Sequence, residues 1–392
     1  MVFLPEEKSI SVASGSTVLE AAQQAGLFIT NLCGGEGVCG ECRVRLRSGR
    51  VNARRDLSAF LSPQEIDEGF VLACQAEIKE DIQVEIPPES RMEGQQILAS
   101  EPGESAMSPT AETAFTPLKP LVRKIYLELS PPTAEDNLSD IERVSRELRR
   151  KIGWHSYGTS LSCLRELPNH LRDHDWKVTA SVVKDGDRYR IQQVEPSDTT
   201  SRNLGIALDV GTTTVVAQLA DLKTGKVLGT EAAANLQAPY GEDVISRIIY
   251  ACDKGGLARL HEAVIENINS LITALTASTG IPREAINAIV AAGNTTMSHF
   301  LLGLTPCAIR LEPYVPTADV YPQIPAMDIG ICINPQGILE TLPSVASYVG
   351  GDIVAGVLAS GITDRPEVRG LIDIGTNGEI VIGNKEDRKS VV

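Results

Sequence analysis

Leu32-Cys-Gly-Gly-Glu-Gly-Val-Cys-Gly-Glu-Cys-Arg-Val44, read together with Leu72-Ala-Cys-Gln75, decides how the amino-terminal part of this chain folds. It sets out Cys33-x5-Cys39-x2-Cys42 and, further downstream, Cys74. Thiolates are soft ligands suited to iron–sulfur clusters or to zinc. Structural zinc sites usually pair two short-spaced knuckles, whereas here a single Cys-x2-Cys pair is completed by one distant cysteine. The spacing is close to the plant-type 2Fe–2S run, with one extra residue in the first gap. Gly34, Gly35, Gly37 and Gly40 fill the loop. A loop wrapped around a cluster must admit positive φ and bring backbone N–H groups close to sulfur.

The surrounding pattern is that of a small strand-rich domain over residues 1–89. Val2–Leu4 and Ser9–Val12 read as a hairpin about Pro5–Glu7. Val18–Ala25 reads as a helix capped by Ser16 or Thr17 and stopped by Gly26. Cys42–Leu46 and Ile82–Ile86 alternate with the period of strands. With these elements, LCGGEGVCGECRV and LACQ resemble a 2Fe–2S ferredoxin domain of the β-grasp type over about residues 1–88. The resemblance implies Cys33, Cys39, Cys42 and Cys74 as the cluster ligands. Six arginines between Arg43 and Arg55 admit two readings, a docking face for an acidic electron donor or a solvated outer sheet face.

The four other cysteines, 163, 252, 307 and 332, are scattered singly and read as buried small hydrophobes rather than a disulfide framework. The 392 residues predict two or three domains. Lys and Arg number 36 against 51 Asp and Glu, a net charge of −15, which argues against a general nucleic-acid binder. Hydrophobic content of 42% excludes disorder throughout. No signal peptide opens the chain, and no apolar run approaches the roughly 20 residues of a membrane span. The expectation is a cytoplasmic protein with no membrane contact.

Residues 90–117 are small, polar and proline-punctuated, and read as a flexible linker with a reach of about 30 Å. Residues 118–201 read as a small α+β module, with a strand Val122–Leu129, helices Asp136–Lys151 and Leu161–His174, and a hairpin Val178–Val183 with Arg188–Val194. No chemistry shows there; His155, His170 and His174 could suggest a metal, but His170 and His174 on a short helix without a third ligand read as surface residues.

Residues 202–392 alternate strands and helices, and two stretches share one plan: Ile206-Ala-Leu-Asp-Val-Gly-Thr-Thr-Thr214 and Leu371-Ile-Asp-Ile-Gly-Thr-Asn-Gly378. Each is an apolar strand, an Asp, one apolar residue and Gly-Thr. Glycine lets backbone approach an anion, successive N–H groups and Thr hydroxyls donate to phosphate oxygens, and the Asp can hold Mg²⁺ or its waters. The pair resembles the two phosphate motifs of the actin-like (ribonuclease H-like) ATPase superfamily, which face each other across a cleft. That resemblance implies Asp209 and Asp373 as metal-associated carboxylates. It implies Gly211, Thr212, Thr213, Gly375, Thr376 and Asn377 as the phosphate cradle. Val349-Gly-Gly-Asp-Ile-Val-Ala355 is similar to a segment carrying a catalytic carboxylate, which makes Asp352 a candidate for orienting water; the competing reading is a helix cap preceded by a Gly350–Gly351 turn. Gly293-Asn-Thr-Thr296 reads either as cleft lining or as a plain strand-to-helix cap. Only 14 residues follow Gly378, so the ATPase domain is expected to be incomplete and this form to lack ATPase activity.

Ferredoxin, linker, small module and actin-like domain in this order resemble the reductive activators of corrinoid proteins over the whole chain. The family resemblance implies an ATP-dependent activase that returns Co(II) to Co(I) on a corrinoid protein, with a 2Fe–2S cluster, ATP and Mg²⁺ as cofactors. The partner would be a corrinoid iron–sulfur protein or a corrinoid methyltransferase subunit, the donor a reductase, and a homodimer is an allowed assembly. The alternatives are a plain 2Fe–2S electron-transfer subunit of an oxidoreductase, and an actin-like small-molecule kinase or chaperone-like module with a sensor cluster.

Overall fold

A computed structural model describes residues 1–27, 29, 37, 40–54, 56–87, 90, 120–153, 157–185, 188–364, 366–375, 378–386 and 388–391. Apart from Ser90, the stretch read as a linker lies outside them.

In the first module, strands β1 (Val2–Leu4), β2 (Lys8–Ser9), β3 (Arg43–Ser48), β5 (Phe70–Leu72) and β7 (Gln83–Glu85) form one sheet in the order β2-β1-β7-β3-β5. The pair β1–β7 is parallel and the rest antiparallel. A ladder of β4 (Val51–Ala53) with β6 (Ala76–Ile78) lies beside it. Helix α1 (Val18–Gln24) starts at a capping box, in which Thr17 Oγ1 accepts from the N–H of Glu20 and the Glu20 carboxylate accepts from the N–H of Thr17. Its Val18, Leu19, Ala21 and Ala22 are buried against Phe3, Val44, Leu72 and Val84. This is the β-grasp arrangement. A second short helix, α2 (Pro63–Asp67), follows a Ser62 cap.

The second module carries β8 (Val122–Glu128), β9 (Tyr157–Thr159), β10 (Lys177–Asp185) and β11 (Arg188–Pro196) in the order β8-β10-β11-β9. Helices α3 (Asp140–Ile152) and α4 (Leu161–Arg172) bury Val144, Leu148, Leu167 and Leu171 in its core, with Val178 and Ile191. Helix α3 begins at Asp140, not Asp136. Ser139 caps it through a box with Glu142, and Asp136 stays outside. Its carboxylate accepts from Arg143 (2.7 Å) and Arg146 (2.9 Å), and Arg146 first, then Arg143, pulls its pKa down to about 2.

The third module is a sheet of β12 (Leu204–Val210), β13 (Thr214–Asp221), β14 (Val227–Ala234), β15 (Ile286–Gly293), β16 (Ile324–Pro325) and β17 (Ile338–Thr341) in the order β14-β13-β12-β15-β17-β16. The first three strands form an antiparallel meander, while β15 runs parallel to β12 and β17 parallel to β15. That is the ribonuclease H-like order of the actin-like fold. Helices α5 (Val244–Asp253), α6 (Leu257–Thr279) and α7 (Thr295–Leu301) complete it. Helix α6 buries Leu260, Val264, Ile268, Leu271 and Leu275 at helical spacing in the core that also holds Val215, Ala217 and Leu219. Beyond lie α8 (Gly351–Ser360) and a three-stranded sheet of β18 (Arg369–Ile374), β19 (Gly378–Gly383) and β20 (Arg388–Val391).

The second and third modules are locked by buried amides. Gln192 Nε2 donates to the carbonyls of Asn287 (2.9 Å) and Gln336 (2.6 Å), Asn334 Nδ2 donates to Gln193 Oε1 (3.0 Å) and Asn287 Oδ1 (3.2 Å), and Asn203 Nδ2 donates to the Val122 carbonyl (2.8 Å). Beside them Val122, Val183, Ala288 and Ile338 make a small apolar cluster. Among the described residues no helix is long and apolar enough to cross a membrane.

Candidate functional site

Two regions carry the predicted chemistry. The first is the cysteine end of the β-grasp module. Cys42 immediately precedes β3, and Cys74 sits in the turn between β5 and β6. The turn is fixed by its neighbours: the Ala73 N–H donates to the Cys42 carbonyl (2.8 Å), and the Leu19 N–H of α1 donates to the Ala73 carbonyl (3.0 Å). Both thiols are buried, and their sulfurs lie 3.3 Å apart. Two thiolates on one tetrahedral metal with bonds of about 2.3 Å would have sulfurs about 3.8 Å apart, so the spacing suits two ligands of one ion. The Cys42 thiol donated to Cys74 pulls the Cys74 thiol well below its usual value; burial opposes this, and the Gln75 amide assists at 3.5 Å from the sulfur.

Two described glycines shortly before Cys42 are required by their backbone and surroundings. Gly37 and Gly40 have φ of +76° and +77°. A Cβ on Gly37 would lie 2.3 Å from Gln75 Nε2, and one on Gly40 would lie 2.8 Å from the Phe60 ring. Four-thiolate chemistry with an amide donor at the sulfur fits an iron–sulfur centre. Cys33 and Cys39, with Gly34 and Gly35, lie outside the described residues, so half of the predicted ligand set has no described geometry.

Several of the described arginines of this module are engaged structurally. Arg43 donates to the Gly40 and Phe60 carbonyls and pairs with Glu65, Arg47 pairs with Glu85, and Arg54 pairs with Glu77. This is the behaviour of a solvated outer face more than of a free cationic docking patch.

The second region is the cleft of the third module. Its first turn, Gly211–Thr213, joins β12 to β13, and each carbonyl is held from behind. Asn235 Nδ2 donates to Gly211 O (2.8 Å), Arg247 Nη2 to Thr212 O (2.7 Å), and the Asn235 N–H to Thr213 O (2.8 Å). Asn294 Nδ2 reaches Thr212 Oγ1 (3.1 Å). Arg247 on α5 is wholly buried and also donates to Gly241 O (2.8 Å) and Gln237 Oε1 (3.2 Å); burial pushes its pKa down to about 9. A Cβ on Gly211 would meet Thr214 O at 2.6 Å.

Asp209 lies two residues before this turn, and Asp373 two residues before Gly375 in the second turn, between β18 and β19. Thr376 and Asn377 lie outside the described residues. Asp352 sits in the first turn of α8. The cap of that helix is Gly350, and Asp352 Oδ1 accepts the Ile353 N–H at 2.8 Å. Gly293-Asn-Thr-Thr296 does both things considered for it: Asn294 caps α7 by accepting the Met297 N–H (2.9 Å) and reaches the first turn.

The carboxylates feel one another. Asp209 is open to solvent along the cleft but surrounded by protein on its other sides. Burial first, then the charges of Asp352 and Asp373, raises its pKa to about 6. Burial, with Asp373, also raises Asp352, against the Ile353 N–H. Glu379, in β19, is raised by burial and then by Asp352 and Asp373. Such mutual repulsion favours a bound cation. Among the described residues, however, no three His, Cys, Asp or Glu side chains gather at metal-binding distance.

One expectation is corrected here. Of the scattered cysteines only Cys163 is buried as a free thiol; Cys252 and Cys307 form a disulfide, and Cys332 is exposed. The end of α5 and the turn at 307–310 lie side by side, where Arg310 also pairs with Asp253 (3.1 Å), a proximity that a separation of 55 residues hides. His170 Nδ1 bonds the Val194 carbonyl at 2.6 Å and His174 is exposed, while His155 lies outside the described residues. Arg247, Asn235 and Gln75 were not singled out from the sequence. Arg247 left one trace, a charge on the buried stripe of α5 with Val244, Ile248 and Ala251.

Residues 2–79 match the 2Fe-2S iron-sulfur cluster binding domain, residues 111–201 the RACo linker region and residues 204–365 the RACo middle region. The corrinoid activation enzyme RamQ of Eubacterium limosum is 29% identical over 383 residues, 96% of this chain and 58% of RamQ. A solved structure, a reductive activator for corrinoid, iron-sulfur protein, is 39% identical with a TM-score of 0.68, and the match covers 99% of this chain and 62% of that one. A component of the Na(+)-translocating NADH-quinone reductase of Actinobacillus pleuropneumoniae serotype 5b (strain L20) is 37% identical over 83 residues, 21% of this chain and 20% of that component. The chain thus spans 58% and 62% of the two long relatives.

Proposed function

This chain belongs to the family of reductive activators of corrinoid proteins, and from that premise we propose that it passes single electrons to a corrinoid protein, Co(II) to Co(I), under the control of a nucleotide cleft. The observation that carries the reading is the pair of buried thiols, Cys42 and Cys74, brought to 3.3 Å of each other. Cys33, Cys39, Cys42 and Cys74 would hold a 2Fe–2S cluster, which when bound supplies one-electron transfer. Gln75 would donate to a ligand sulfur, and buried Leu19 and Ala73, with the half-buried Phe60, would limit access of water to it.

In the cleft, Gly211, Thr212 and Thr213, with Gly375, Thr376 and Asn377, would take the phosphates of ATP. Asp209 and Asp373 would hold Mg²⁺ or its waters, and Asp352 would orient the attacking water. Pinning the three carbonyls of the first turn from behind favours presenting its other side to an anion. The energetics fit such a division of labour. Plant-type clusters lie near −400 mV, and about 59 mV is worth about 1.4 kcal/mol for one electron. A lower-potential acceptor therefore lies uphill by several kcal/mol. Inverting a two-state equilibrium takes about 5.5 kcal/mol, a scale that differential nucleotide binding can supply.

The partner in this reading is a corrinoid iron–sulfur protein or a corrinoid methyltransferase subunit, the donor is a reductase, and the location is cytoplasmic. A homodimer is compatible with it. The test is anaerobic reconstitution, followed by Co(II) loss from a corrinoid partner with and without Mg–ATP. The wild type should give a paramagnetic signal after dithionite and reduce the corrinoid, and Cys74→Ser should do neither. Colourless protein that holds zinc would overturn the electron-carrier role. A rate indifferent to Mg–ATP, in a chain extended to the length of its relatives, would overturn the nucleotide control.

A further inference from the structure

Helix α1 of the β-grasp module packs against the short helix Ala238–Tyr240 of the third module. A cavity there is lined by Glu20, Gln23 and Gln24 on one side and by Tyr240, Lys254 and Arg259 on the other. The seat is firmly built. Tyr240 is buried, its ring lies 4.9 Å from that of Tyr250, and its hydroxyl accepts from Arg259 Nε at 2.8 Å. Gln23 is 5% exposed although it is polar and sits on a helix surface.

Charge crosses the contact with both signs. Lys254 lies near enough to Cys74 for its positive charge to act on that thiol. Glu41, beside Cys42, acts in the same way on Glu242, a like charge. One Glu242 carboxylate oxygen is buried without a hydrogen-bond partner. Lys254 is thus a charge of attractive sign, and Glu242 one of repulsive sign, at the geometric contact between α1 and Ala238–Tyr240.

The seat is also continuous with the first phosphate turn. Tyr240 adjoins Gly241, whose carbonyl accepts from Arg247 Nε (2.8 Å), and the same guanidinium holds the Thr212 carbonyl (2.7 Å).

We propose that the face formed by Tyr240, Lys254 and Arg259 is a docking seat for the cluster-bearing module of the same chain. It holds the Cys42–Cys74 end against the element that fixes the first phosphate turn. The proposal rests on the reading above that this module carries a 2Fe–2S cluster. Docking here places the cluster end in the field of Lys254 and Glu242, and gives the phosphate turn a mechanical link to the module.

The test uses the anaerobically reconstituted full chain at low ionic strength, with a redox titration followed by electron paramagnetic resonance and small-angle scattering on the same samples. Lys254 and Glu242 belong to neither the cluster ligands nor the phosphate turn. Lys254→Glu should lower the reduced fraction at a fixed potential about tenfold, equivalent to about 59 mV, and increase the radius of gyration. Glu242→Gln should move both readouts the other way. Lys223→Glu, in the exposed β13–β14 hairpin on the side of Asp198, should move neither. Wild-type values for both Lys254→Glu and Glu242→Gln would overturn the docking. Absence of a cluster signal in the wild type would instead overturn the electron-carrier reading, and the scattering would still judge the seat.

Discussion

Replacing Gly350 by alanine probes how the cleft is held in shape. A Cβ at this position would lie 2.3 Å from the Asn294 Cα, 2.4 Å from the Gly293 carbonyl oxygen and 2.6 Å from the Asn294 carbonyl carbon. All three are backbone atoms, so no side chain can swing aside. Carbon atoms pack best at about 3.5–4.0 Å, so the start of α8 must move from the β15–α7 turn by about 1 Å. Overpacking usually costs about 1–3 kcal/mol, and a clash with fixed backbone belongs at the upper end. At about 2–4 °C per kcal/mol for a unit of this size, the transition of the third module should fall by about 6–12 °C in scanning calorimetry. The same displacement carries Asp352 with it. Asp352 contributes to the raised pKa of Asp209, so a carboxyl carbon titration should find Asp209 closer to its ordinary value. Gly370→Ala is the control, since the nearest atom to its added Cβ is 3.9 Å away. A Gly350→Ala protein that melts within about 2 °C of wild type, with Asp209 titrating as before, would refute this account of the cleft.

Three further outcomes follow from the contacts above. Arg247→Met should destabilise the third module by about 3–5 kcal/mol in urea unfolding, because it leaves the Thr212 and Gly241 carbonyls buried without donors, and Arg247→Lys should rescue little, since one ammonium cannot span both. Asn287→Ala should cost about 2–3 kcal/mol and make the second and third modules unfold at separate temperatures, because Asn287 Oδ1 accepts from both Gln193 and Asn334; a single unshifted transition would count against the amide lock. Asp209 is raised from 3.8 to about 6, so it adds stability below about pH 4 that is lost as pH rises through about 6. The shift corresponds to about 3 kcal/mol, which the open cleft reduces to about 1–2; Asp209→Asn should flatten the stability profile between pH 4 and 6, and an unchanged profile would contradict the assignment.

The elements most legible in the sequence were those whose chemistry is local. A loop around thiolates needs its glycines beside its cysteines, which is why the proposed ligands Cys33, Cys39 and Cys42 stand in one short run; of the four, Cys42 and Cys74 are described and lie together. A turn suited to phosphate needs Gly and Thr next to a strand, which is why the two Asp-x-Gly-Thr plans stand out 164 residues apart, though their phosphate role remains the proposal made above. The start of α3 was also written plainly, as Ser139-x-x-Glu142, yet the acidic run before it drew the expected helix out to Asp136. That residue accepts from two arginines of α3 and so lies beside the helix without belonging to it.

What stayed hidden were the residues that act from a distance. Arg247 sits 35 positions from Thr212, and a charge on an amphipathic helix ordinarily faces water; only its place on the buried stripe argues otherwise. The partners Cys252 and Cys307, or Gln193 and Asn334, are joined by topology alone, since nothing local to either member calls for the other. The asymmetry has a physical cause. Groups that touch a ligand are limited by the geometry of a single turn and so cluster in sequence, whereas groups that hold that turn still can come from any element packed behind it. The Gly211–Thr213 turn, proposed to bind phosphate, illustrates both at once: its own residues were read from one line of sequence, while the donors that fix its three carbonyls come from Asn235, just after β14, and from Arg247 of α5. The proposed binding surface is therefore written in the motif, and the rigidity of its turn in the fold.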